Sequence, residues 1–217
     1  MSQTYGKTRW KRFALVMVPS LAATAAIGVS MANSVLAASF SISGQQFKVT
    51  VDDLRGDRFS QFGAVDAESN GTKHPVAISA FDTAHLKGLC QSVVTDLGPV
   101  LGKWTLVLKA GDSTEEAKQV YAENLLIDLN QLDADAEFTN INIGQDANTL
   151  TGSALDDLRN SKPGLPSGAY GFSQTAETAH LSKVQQTAWA TSAGTFKLPG
   201  LHLSLNHQEN GKTYECY

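Results

Sequence analysis

Apolar and polar residues alternate along most of this chain, and that pattern restricts it to sheet. Phe47, Val49 and Val51 share one parity, with Lys48, Thr50 and Asp52 on the other. The same holds for Trp104, Leu106 and Leu108, for Leu125, Ile127 and Leu129, and for Leu201, Leu203 and Leu205. Successive side chains of a strand point to opposite faces, so a period of two gives half-buried strands with one wet face, not a buried parallel sheet. Ala134, Ala136 and Phe138 keep one parity whereas Ile141 and Ile143 take the other, which predicts a bulge or bend near Thr139-Asn140.

Internal repetition is the second constraint. Asp82-Thr83-Ala84-His85-Leu86 returns 95 positions later as Glu177-Thr178-Ala179-His180-Leu181. Further on, Gln91-Ser92-Val93-Val94 aligns with Gln186-Thr187-Ala188-Trp189. Four units line up, over residues 40–68, 78–111, 120–146 and 172–206, each expected to hold two or three strands with a turn between them. Asn70-Gly71 and Gly111-Asp112-Ser113 supply turn chemistry at the junctions. From 147 to 171 the chain is rich in Gly, Pro, Ser and Asn, which predicts a long surface loop with a helical turn near 154–159. Ser113-Thr114-Glu115-Glu116 has capping-box spacing, but no apolar stripe continues past Val120 and Tyr121, so one or two helical turns are expected. The fold class is mostly β, with repeated strand units forming a curved sheet or a solenoid-like stack behind an N-terminal hydrophobic helix.

That N-terminal segment sets the expected location. Lys7, Arg9, Lys11 and Arg12 precede an uncharged run over 13–32, and Val35-Leu36-Ala37 offers small-residue cleavage chemistry before Ala38. The pattern fits a secretory signal, and the run is also long enough to span a membrane as an anchor. Either way the chain is expected outside the cytoplasm, as residues 1–37 (signal peptide or membrane anchor) and a single β-rich domain over 38–217. The exported part keeps 13 of the 17 basic residues and all 21 acidic ones, a balance of −8 that argues against nucleic acid as a partner. Both cysteines, Cys90 and Cys216, lie in that part. An even count in an oxidising compartment predicts one disulfide; the alternative is two separate thiols.

Chemistry is sparse. The two Asp/Glu-x-x-His elements would each present two metal ligands on a helix, where i and i+3 share a face. In a strand those positions diverge, which puts His85 and His180 on the wet face and makes the repeat architectural. No Cys-x-x-Cys, phosphate loop or dinucleotide fingerprint is present, and no metal or cofactor is expected. Gly164-Leu165-Pro166-Ser167-Gly168 lacks the Gly-x-Ser-x-Gly spacing of a nucleophile elbow, so an ester hydrolase acting through Ser167 is the least supported function class. What remains is the apolar strand face. Leu106, Leu108, Leu125, Ile127, Leu129, Leu203 and Leu205 would line a groove for an acyl chain if the sheet stays open, or a plain core if it closes. The sequence therefore points to a non-enzymatic protein with an apolar ligand or membrane partner. The alternative is an assembly component that pairs through sheet edges.

Several runs carry a resemblance. They include Gly63-Ala64-Val65-Asp66, His74-Pro75-Val76, Leu89-Cys90-Gln91-Ser92-Val93 and the stretch Phe138-Thr139-Asn140-Ile141-Asn142-Ile143-Gly144-Gln145-Asp146-Ala147. With Gln186-Thr187-Ala188-Trp189-Ala190 and the ending Glu215-Cys216-Tyr217, they resemble an actinobacterial cell-envelope family of unknown function, domain of unknown function 6230. The resemblance implies an exported or membrane-anchored β-rich protein of the envelope. Members are sometimes labelled cholesterol esterase, which these residues do not support. It brings no catalytic residues to carry over.

Overall fold

The computed structural model describes residues 42–156, 171–208 and 212–217. The N-terminal hydrophobic segment and Ser167 lie outside the described residues. Among the described residues nine strands follow in order: β1 (Phe47–Ala67), β2 (Lys73–Lys87), β3 (Leu89–Asp96), β4 (Lys103–Ala110), β5 (Val120–Thr139), β6 (Asn142–Asp146), β7 (Phe172–Ser192), β8 (Thr195–Lys197) and β9 (His202–His207). All their ladders are antiparallel.

The four long strands close on one another. β1 pairs with β2, β2 with β5, β5 with β7, and β7 returns to β1. Of the two forms expected, this is the curved sheet, since a solenoid repeat touches only its chain neighbours and here the last long strand pairs with the first. A ring of four closes only if its strands bend, and the bends are visible in the burial. Inward residues are spaced three apart instead of two across Arg58 (Gly56 to Phe59), Asn124 (Ala122 to Leu125) and Lys183 (Leu181 to Val184). These three residues hold left-handed φ of 52°, 51° and 53°. Each costs about 1–2 kcal/mol of backbone strain, offset by keeping apolar side chains inside past the bend. In register, Arg58 and Asn124 both fall opposite Asp82, so β1, β2 and β5 turn along one line. The bend expected near Thr139-Asn140 is present, with Asn140 at φ 54° and β5 continuing as β6 along the same partner, β7.

Three of the repeated units hold two or three strands each, as expected, whereas the first is the single strand β1. Polar pairs that look like turns, such as Asp52-Asp53, sit inside it because β1 stays paired with β7 through them.

The repeat itself has a direct explanation. Its two copies flank β1 in the same register. Leu54 lies opposite both Leu86 and Leu181, Arg55 opposite His85 and His180, Gly56 opposite Ala84 and Ala179, and Asp57 opposite Thr83 and Thr178. One stretch of β1 selects one partner sequence, and it has two sides.

Inside the ring, Phe59 stacks at 5.3 Å from Phe81 and 5.1 Å from Phe138. Val51, Leu54, Val120, Leu125, Ile127, Leu129, Leu181 and Val184 fill the remainder of this core. A second cluster lies on the other side of the sheet, where Ala147, Leu150, Ala154 and Leu155 cover Phe62, Val76, Ile78 and Ala80. The stretch expected as a surface loop therefore begins as packed structure, with 3-10 helix Ala147–Thr149 and a helical turn over 153–156. Gly and Pro dominate only its later part. The capping box at Ser113 does not form: Glu115 N donates to Ser113 Oγ at 3.1 Å, and the helix is one 3-10 turn, Glu116–Lys118.

Candidate functional site

The register that explains the repeat also builds a polar row. His85, Arg55 and His180 lie side by side across β2, β1 and β7 on the outer face. His180 Nε2 is 2.5 Å from Asp53 Oδ2, Arg55 Nε is 3.0 Å from Asp53 Oδ1, and His85 Nε2 is 3.7 Å from Glu116 Oε1. A cleft of about 590 Å³ runs between this row and the Thr114–Gln119 loop. The acids of the repeat are directed elsewhere. Asp82 accepts from Ala154 N at 3.2 Å and faces Arg58, while Glu177 accepts from Asn140 Nδ2 at 2.6 Å. Contrary to the parity expectation, acid and histidine both lie on the outer face, because the inward residues Phe81 and Ala84, like Ala176 and Ala179, are three apart; different partners hold them apart. Among the described residues, no three His, Cys, Asp or Glu side chains are grouped to hold a metal.

Beside His85 on the same face, Tyr121 donates to Glu123 Oε1 at 2.8 Å. That hydrogen bond is the main reason Glu123 is held below the usual carboxylate range, and Tyr121 above its own usual value. A lowered carboxylate contributes stability above its unfolded pKa and loses it as pH falls through the folded one. Tyr121→Phe should therefore raise the Glu123 midpoint toward the ordinary value, read by carboxyl NMR titration. An unmoved midpoint would assign the shift to Thr195 and Lys197 instead.

The apolar surface is elsewhere. β3, β4 and β9 extend the sheet from the edge of β1, and their ladders keep an unbroken register. One face of this extension carries the rows Gln91–Leu108–Leu203, Val93–Leu106–Leu205 and Thr95–Trp104–His207. It starts in the core, where Leu89 opposes Ala110, and Leu108 still packs against that cluster. From Leu203, beside Leu108, onward it is open: Leu203 is 58% exposed, Leu106 38% and Leu205 62%. The apolar lining of the ring runs out onto the surface.

The opposite face is the covered one. Thr105 and Val107 are buried, although the alternation in β4 favours the leucine side. The cause is the C-terminal tail. Cys216 is disulfide-bonded to Cys90, its N–H donates to buried Ser92 Oγ at 3.0 Å, and Gln208 Nε2 donates to Thr105 Oγ1 at 2.8 Å. Lys48 Nζ meets Glu215 Oε1 at 3.0 Å. A cavity of about 870 Å³ lies beneath this strap, lined by charged and polar groups including Asp52, Lys109, His202 and Glu215.

The seven groove candidates thus divide. Leu125, Ile127 and Leu129 are core, Leu106, Leu203 and Leu205 are surface, and Leu108 joins the two groups. Sequence parity paired these residues correctly within each strand but carried no signal for which face the tail covers. It also passed over Val93 and the apolar β3–β4 turn, Leu97 to Leu101, whose lack of polar side chains was the available clue. A family model, described as a family of unknown function (DUF6230), matches residues 43–217. No curated protein matches the chain, and no solved structure does.

Proposed function

We propose, on the premise that this chain belongs to the DUF6230 family of unknown function, that it is a non-enzymatic protein of the cell envelope that holds lipid acyl chains against its leucine face. The observation that carries this reading is the continuity of that face with the core. Leu89 and Ala110 are buried, Leu108 is half-buried, and Leu106, Leu203 and Leu205 are exposed on the same side of a regular ladder. Scattered exposed leucines are ordinary, whereas a contiguous apolar patch marks an interaction surface. Each CH₂ of a ligand removed from water there gains about 0.8 kcal/mol, so an acyl chain needs no polar anchor. A lipid occupant fits the sequence around it. An uncharged run over 13–32 brings the chain to a membrane, and the thirteen Cα–Cα steps from Ala32 to Gln45 span at most about 45 Å when extended. Location outside the cytoplasm, as a secreted or anchored protein, is part of the same proposal and agrees with the disulfide.

Native mass spectrometry of the full chain tests it: purification without delipidation should give protein carrying a lipid-sized mass, and protein that never carries or takes up lipid contradicts the reading. A second reading, assembly through a sheet edge, is favoured by one observation. Among the described residues β9 has a strand on one side only, so its outer edge is free to pair with another chain. Sedimentation separates the two, since edge pairing gives oligomers that grow with concentration and lipid holding does not.

A further inference from the structure

The turn between β3 and β4 is the least expected surface in the molecule. Tight hairpin turns usually carry Asn, Asp, Gly or Ser, whose side chains suit water and left-handed backbone. Here the turn reads Leu97-Gly98-Pro99-Val100-Leu101-Gly102, with no charged or hydrogen-bonding side chain. Val100 is 91% exposed, Leu101 56% and Leu97 49%.

This tip is built, not loose. Leu97 N donates to Gly102 O at 2.9 Å and Gly102 N to Gly98 O at 2.8 Å. Gly98 N donates to Asp96 Oδ1 at 2.9 Å, and the Trp104 indole donates to Leu101 O at 2.7 Å. Pro99 has no N–H to satisfy. Apolar side chains are thus presented on a backbone whose polar groups are largely paired internally, the condition for entering a medium without water. At the neck of the tip stand Trp104, whose ring lies 4.9 Å from His207, and the opposed charges of Asp96 and Lys103. An apolar tip above an indole and a charged pair follows the order of side chains found across a membrane interface.

The chain's own path points the same way. Thr95 Oγ1 donates to Gln45 Oε1 at 3.3 Å, so the residues leading back to the apolar run over 13–32 approach the domain two positions from Leu97. Trp104 shares its face with Leu106, Leu205 and Leu203, so tip and leucine face form one surface.

We infer that the β3–β4 turn is a wedge that enters the outer layer of a phospholipid bilayer and sets the leucine face against its lipids. This rests on the lipid-holding reading and names the bilayer as the source of the acyl chains. The test uses the full chain in vesicles of phosphatidylcholine and phosphatidylglycerol, with photoreactive p-benzoylphenylalanine placed at one position at a time. The probe in place of Val100 should label lipid on the order of tenfold more than the probe in place of Val65, an exposed apolar control on β1. With the probe at position 101, Val100→Asp should cut the lipid label about tenfold. Labelling at position 100 no greater than at position 65, or labelling only of a second copy of the chain, overturns the wedge. A probe at position 205 keeps the two claims apart. Label at 205 without label at 100 overturns the wedge alone, whereas label at neither overturns the lipid-holding face as well.

Discussion

Gly56→Val is expected to cost most of the stability of this domain. A Cβ at position 56 would lie 2.3 Å from Cδ1 of Phe81, closer than any packed pair of carbons. Phe81 cannot swing aside: it is 2% exposed and its ring rests on Phe59 at 5.3 Å. Displacing a buried phenylalanine forfeits about 3–5 kcal/mol. Forcing an oversized side chain into a filled site adds about 1–3 kcal/mol. Domains of this size hold roughly 5–15 kcal/mol in all, so the variant should be largely unfolded or melt at least about 10 °C lower by circular dichroism. Gly63→Ala is the control, because nothing lies within 4 Å of a Cβ there. A Gly56→Val protein that melts like wild type would mean that the ring is not closed around Phe81.

Removing the disulfide should be the next largest effect. Cys90 and Cys216 are 126 residues apart, a loop for which the chain-entropy model gives about 5 kcal/mol and comparable proteins lose about 2–5 kcal/mol. Without it the tail is held by surface contacts such as Lys48–Glu215 at 3.0 Å, worth at most about 1 kcal/mol each. The double variant Cys90→Ser, Cys216→Ser should melt lower by about 5–15 °C. It should also lose hydrogen-exchange protection at position 216, whose N–H bonds to Ser92 Oγ at 3.0 Å. Full protection in the reduced protein would show that the tail's own contacts suffice. Tail release would also uncover Val107 on the face opposite the open leucines.

Much of this fold was legible in the sequence, and the gaps have physical causes. Period-two alternation gave the strands, and the parity change before Ile141 located the bend at Asn140. The even cysteine count gave the disulfide. The repeat is architectural, but not because parity separates its acid from its histidine: the bend between Phe81 and Ala84 leaves Asp82 and His85 both on the outer face, where Ala154 and Glu116 engage them separately. What could not be read was closure. Pairing of β7 with β1 depends on bends at Arg58, Asn124 and Lys183, none of which is a glycine. Their only trace is apolar spacing of three, easily taken for the end of a strand. The site was half legible for a related reason. Both faces of β4 can pack, and the choice between leucines and Thr105 with Val107 is made by a tail more than a hundred residues away.

Lipid is proposed to sit on the leucine face and not within the ring. Native mass spectrometry of wild type beside the double variant Leu203→Asp, Leu205→Asp tests it most directly. Both leucines are more than half exposed, at 58% and 62%, so the substitutions should leave the melting temperature nearly unchanged. Two carboxylates on that surface make it hostile to hydrocarbon, since a buried unpaired charge is not tolerated. Wild type is expected with bound lipid mass and the folded variant without it. A folded variant that carries as much lipid as wild type would contradict that placement.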